Sequence, residues 1–141
     1  MKRKLVAGFV PALLVLLFMY TGFNKLFALA DFTSSMLNQP IPHWLAYVLA
    51  RCIPIAEIIA AGCLLFNATQ KPGLYLSFLL LATFTVYISL ILLHVFPKIP
   101  CSCAGIFRKI GWQEHLWINL ALLTLTGLAL LPYIRNAFTH H

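Results

Sequence analysis

Charge is what this sequence has least of. Aspartate and glutamate together number three in 141 residues, lysine and arginine ten, and charged residues make up 9% of the chain. A soluble domain carries a polar coat, with near a quarter of its residues charged. So little charge cannot cover a globule in water, which excludes a soluble domain and leaves lipid as the solvent. No internal repeat or low-complexity segment is present, and the length allows one domain. There is no run of lysine and arginine interleaved with aromatics, so nothing suggests nucleic acid. The net charge of +7 suits basic residues at helix ends meeting anionic lipid head groups instead.

What the chain has in abundance is apolar length. Hydrophobic residues are 62% of the sequence, and the mean hydropathy is +0.91. Four apolar stretches cover residues 5–30, 43–66, 73–96 and 113–131. Each holds roughly 19–26 residues, enough at about 1.5 Å per residue to cross a hydrocarbon core of about 30 Å. Lipid supplies no hydrogen bonds to a backbone, so each stretch must be helical. The sequence therefore predicts an all-α, integral membrane four-helix bundle, with residues 1–141 forming a single transmembrane domain. Gln39-Pro40-Ile41-Pro42, Asn67 to Pro72 and Pro97 to Gly111 supply the breaks, and Thr33 to Asn38 reads as a short interfacial turn. Lys2-Arg3-Lys4, an apolar run and Ala28-Leu29-Ala30 imitate a signal peptide. The run is long for that purpose, and Asn24 and Lys25 interrupt it, so a retained helix is expected.

The positive cluster Lys2-Arg3-Lys4 holds the N-terminus in the cytoplasm, and four crossings return the C-terminus there with Arg135. Residues 31–42 and 97–111 then form the external loops. Lys98, Arg108 and Lys109 on that side make the asymmetry shallow.

Two of the four cysteines stand in the second external loop, in Pro100-Cys101-Ser102-Cys103-Ala104-Gly105. A disulfide closing so short a loop removes little chain entropy and makes a poor staple. Strained, exposed disulfides have the higher potentials of labile or catalytic bonds, and nearby lysine and arginine favour the thiolate. Cys101 and Cys103 therefore read as a redox-active pair in an oxidising compartment. A structural disulfide, inert thiols and a metal site stay open beside that reading. A metal would want a second ligand pair, for which His94 and His115 are only loose candidates. Cys52 and Cys63 lie in the second span, eleven residues and roughly 16 Å of rise apart, too far to bridge. They read as small packing thiols.

Polar residues inside the spans form a second group. Thr83, Tyr87 and His94 fall at helical spacing in the third span, and His115, Asn119 and Thr126 in the fourth. Tyr20 and Asn24 lie one turn apart in the first. Such residues commonly join helices by hydrogen bonds. Arg51 and Glu57 are charges within the second span, where burial without a partner is expensive. Their spacing puts them on different faces, so Lys25 is the expected partner of Glu57, and Asp31 of Arg51. Lys25, Arg51, Glu57, Tyr87, His94, His115 and Asn119 are thus the candidates for a polar pocket. Pro54 should kink the second helix.

Taken together, the arrangement resembles the MauE/DoxX-like family of redox-associated membrane proteins. The matching pieces are Gly22-Phe23-Asn24-Lys25, Glu57 with Gly62, and Phe84-Thr85-Val86-Tyr87 ahead of Pro100-Cys101-Ser102-Cys103, then Trp112 and Asn119. The family's loop more often reads Cys-Gly-Cys-Phe-Gly, whereas Ser102 and Ala104 stand here. The resemblance implies a bacterial cytoplasmic (inner) membrane and a part in forming or transferring disulfides of exported proteins, often beside a thioredoxin-like partner. Relatives in the wider group imply a link to quinone, which Trp44, Tyr47, Trp112 and Trp117 could hold; those residues equally suit helix anchoring at the interface. Two functions follow as expectations. One is a thiol–disulfide relay through Cys101 and Cys103. The other is a non-catalytic scaffold subunit of a larger membrane complex with a fixed Cys101–Cys103 disulfide.

Overall fold

The computed structural model describes residues 2–93 and 112–139. Cys101, Cys103, His94, Lys98, Arg108 and Lys109 lie outside the described residues, as does the side chain of Trp112. The described chain forms five helices: α1 Lys2–Phe27, α2 Leu29–Leu37, α3 His43–Leu65, α4 Gln70–Leu92 and α5 Trp112–Thr139. Four of them, all but α2, are long and apolar enough to cross a membrane. The chain is an all-helical integral membrane protein.

Each long helix buries one stripe and leaves its other faces apolar and open. On α1 the stripe is Val10, Leu14, Phe18, Thr21 and Lys25; on α3 it is Ala46, Ala50, Pro54, Glu57, Ala60, Ala61 and Leu64. Steps of three and four residues keep such positions on one side of a helix. Leu16, Phe27, Ile59, Leu79 and Trp117 point outward with more than half their surface exposed. In water that surface would be a hazard; in lipid it is the natural exterior.

Packing follows an up-and-down ring. α1 lies on α3, α3 on α4, α4 on α5, and α5 closes against α1. Gly73 makes the α3–α4 hairpin tight, because a Cβ there would sit 3.0 Å from Cys63 Cβ and 3.1 Å from the Leu64 nitrogen. Gly22 does the same for α1 and α3, where a Cβ would meet Ile58 Cγ1 at 3.0 Å and the Pro54 carbonyl oxygen at 3.3 Å. Small residues let membrane helices approach closely in this way. One end of the ring carries the α3–α4 turn, pinned by a Tyr133 to Gln70 hydrogen bond of 3.2 Å. The other end carries the close of α4 and the start of α5, where residues 94–111 connect them.

Several boundaries differ from expectation. The first stretch breaks at Ala28, and the segment read as an interfacial turn is helix α2. Its composition is too mixed to announce a helix. Tertiary contact supports it: Phe32 and Met36 bury against Ala46 and Ala50 of α3. α3, in contrast, keeps its expected bounds, with Pro54 inside the helix. α5 reaches Thr139, beyond the apolar limit at residue 131, so the helix outlasts its hydrophobic stretch.

Candidate functional site

A chain of polar groups runs from mid-bundle toward the end from which residues 94–111 emerge. Its deepest member is Glu57, eight residues or about 12 Å of helix rise from the close of α3. Glu57 is 1% exposed. Its Oε1 accepts a hydrogen bond from Lys25 Nζ at 2.6 Å, the ion pair that the cost of isolated charges in lipid demands. Gly22, one turn before Lys25 on α1, allows the approach that brings the two helices to this distance.

The lysine is held from two more sides. Its Nζ lies 5.6 Å from the ring centre of Phe32 on α2 and 5.6 Å from that of Phe84 on α4. Ring faces attract a cation, and more strongly where water is excluded. Lys25 therefore ties four helices together, α1 through α4. The Thr21 hydroxyl borders the carboxylate, yet it donates to the Leu17 carbonyl at 3.0 Å. That leaves Glu57 Oε2 buried and without a hydrogen-bond partner.

Nearer the end of α4, the Tyr87 hydroxyl donates to Gln39 Oε1 in the α2–α3 connection. On α5, His115 lies within electrostatic reach of Lys25, and Asn119, one turn further, is buried. Lys25, Tyr87, His115 and Asn119 thus lie toward one end of the ring, and Glu57 meets Lys25 from mid-bundle.

Other candidates fall elsewhere. Arg51 is exposed and does not pair with Asp31; its Nη1 donates to the Tyr47 carbonyl at 3.4 Å. A long guanidinium can turn along its helix toward the interface, which explains how it tolerates the span. Thr83 faces outward, and Tyr20 and Asn24 line a shallow groove on the outer face of α1. Thr126 is fully buried, but its hydroxyl donates to the Leu122 carbonyl at 2.7 Å rather than across to another helix. Thr85, Ser77 and Ser89 also bond back one turn, so hydroxyls here satisfy themselves locally. Cys52 is a free thiol on the exterior and Cys63 a free, half-buried one against the α3–α4 hairpin. Trp44, Tyr47 and Trp117 are 67%, 46% and 71% exposed. They sit as interface anchors do.

Phe32, Phe84 and Gln39 complete the site without having been singled out in it. The two phenylalanines look like lipid-facing residues in an apolar run, and Gln39 looks like part of a turn. Only the need of a buried lysine for surroundings on all sides could have drawn attention to nearby aromatics.

No curated protein and no solved structure matches the chain. A family model does match, described as methylamine utilisation protein MauE, over residues 3–132. With nearly the whole chain matched, from the start of α1 into the last turns of α5, this four-span membrane protein belongs to the MauE family.

Proposed function

We propose that the protein is a membrane thiol–disulfide relay whose reactive groups are Cys101 and Cys103. The observation that carries the reading is the Cys101-Ser102-Cys103 pair, placed by the chain order between α4 and α5. A short loop makes its disulfide a poor staple and a good exchanger. Lys98, Arg108 and Lys109 nearby in sequence favour the thiolate that exchange requires. The same end of the ring is cross-braced: Lys25 joins α1 to α4, and Tyr87 joins α4 to the α2–α3 connection.

In the accepting direction, a thiolate of the partner attacks one sulfur of the Cys101–Cys103 disulfide. A mixed disulfide forms and the other loop cysteine leaves as thiolate. A second thiol of the partner attacks the mixed disulfide, so the partner ends oxidised and the loop ends as a dithiol. The donating direction is the reverse, and no further oxidant enters either exchange. The partner class is an exported thioredoxin-like protein or its substrate, reached with the loop outside and both termini in the cytoplasm. A redox titration of the loop in the purified protein tests the reading, with thiols counted by mass-tagged maleimide. A reversible couple in the range of exchange proteins, about −120 to −270 mV, is expected. A bond that stays closed below about −300 mV points to a fixed disulfide and the scaffold role instead.

A further inference from the structure

The Lys25–Glu57 pair is incomplete as a structural ion pair. Glu57 Oε1 takes the lysine at 2.6 Å, but Oε2 is fully buried and receives nothing. Carboxylate oxygens inside proteins are hydrogen-bonded almost without exception, and low dielectric raises the cost of leaving one bare. Two neighbouring donors are engaged elsewhere. Lys25 has its ammonium between Oε1 and the rings of Phe32 and Phe84, and Thr21 donates to the Leu17 carbonyl. The surroundings are also mixed in character. A charged pair and two aromatic faces meet here, while two turns back on α1 Phe18 and Leu14 belong to a cluster of buried apolar side chains.

We propose that this site holds a water molecule, donating one hydrogen to Glu57 Oε2, within the membrane-spanning part of the bundle. Buried waters characteristically satisfy orphaned polar atoms of this kind, and they need polar partners such as a carboxylate provides. The inference is independent of the thiol relay and survives its failure.

Radiolytic labelling tests it on the full chain in nanodiscs. X-ray pulses in water enriched in oxygen-18 generate hydroxyl radicals from bound as well as bulk water, and an adjacent ring keeps the labelled oxygen. Phe32 is the reporter, being buried and beside the pair, and Phe18 the internal control, buried in apolar core. The expected result is a severalfold higher label at Phe32 than at Phe18, the contrast between a polar, hydrated site and an apolar one. In a Lys25→Met/Glu57→Met double variant, Phe32 should fall to the level of Phe18. Equal labelling of the two rings in the unaltered protein overturns the proposal, whether or not the variant folds. So does a Phe32 signal unchanged in a folded double variant, since the water would then not belong to the carboxylate.

Discussion

Removing Lys25 alone should damage the fold more than removing Lys25 and Glu57 together. Lys25→Met leaves the Glu57 carboxylate 1% exposed and without its cation. Breaking a buried pair from one side typically costs about 3–5 kcal/mol. The methionine keeps much of the apolar contact with Phe32 and Phe84, so most of the loss is the stranded charge. Glu57→Leu strands the ammonium instead and should cost a similar amount. Glu57→Gln retains an oxygen for Lys25 and should be milder than Glu57→Leu. The double variant Lys25→Met/Glu57→Leu carries no charge at the site, and an apolar replacement of a buried pair is often neutral. The coupling between the two positions should therefore exceed about 2 kcal/mol, well outside the few tenths seen for independent sites. Equilibrium unfolding in mixed micelles, run on wild type, both single variants and the double, measures it. Additive losses within about 0.5 kcal/mol would refute the pairing argument, as would a glutamine as damaging as the leucine.

Three further outcomes follow from the packing and the charge pattern. Gly22→Ala should lose about 1–3 kcal/mol in the same assay, because its Cβ meets Ile58 Cγ1 at 3.0 Å. Gly62→Ala, with nothing within 4 Å, should be tolerated, and the reverse ranking would contradict the close approach of α1 and α3. Tyr87→Phe removes the hydrogen bond to Gln39 and should cost about 1 kcal/mol, read from the unfolding midpoint. After gentle reduction of intact cells, an impermeant maleimide should tag Cys101 and Cys103; tagging only after lysis would reverse the orientation inferred from Lys2-Arg3-Lys4.

The spans were legible because lipid imposes length and apolarity on any helix that crosses it. The Lys25–Glu57 pair was legible for a related reason: a buried charge needs a partner, and few charges are present to serve. Faces were harder to read. Thr83 shares helical spacing with Tyr87, yet the buried side of α4 is set by Leu81, Thr85 and Ile88, a slightly rotated stripe. With both faces of a membrane helix apolar, no polar side marks the exterior. Arg51 misleads similarly, since a guanidinium within a span can turn along the helix to a backbone carbonyl and needs no anionic partner. α2 was invisible because Phe32 and Met36, packed on α3, support it rather than propensity. The hydroxyls of Thr83 and Thr126 read as bridges between helices, but each donates to the carbonyl one turn back.

The relay itself is tested most directly by trapping its intermediate. Exchange passes through a mixed disulfide that the second cysteine resolves, so removing the resolving cysteine should let the complex accumulate. Cys101→Ser and Cys103→Ser are each expressed in the native membrane, quenched with acid and run without reductant. One of the two should carry a partner that reductant releases and mass spectrometry identifies, while Cys52→Ser and Cys63→Ser leave exchange unchanged. No reducible adduct from either loop variant, with normal disulfide formation in the double variant, would contradict the relay.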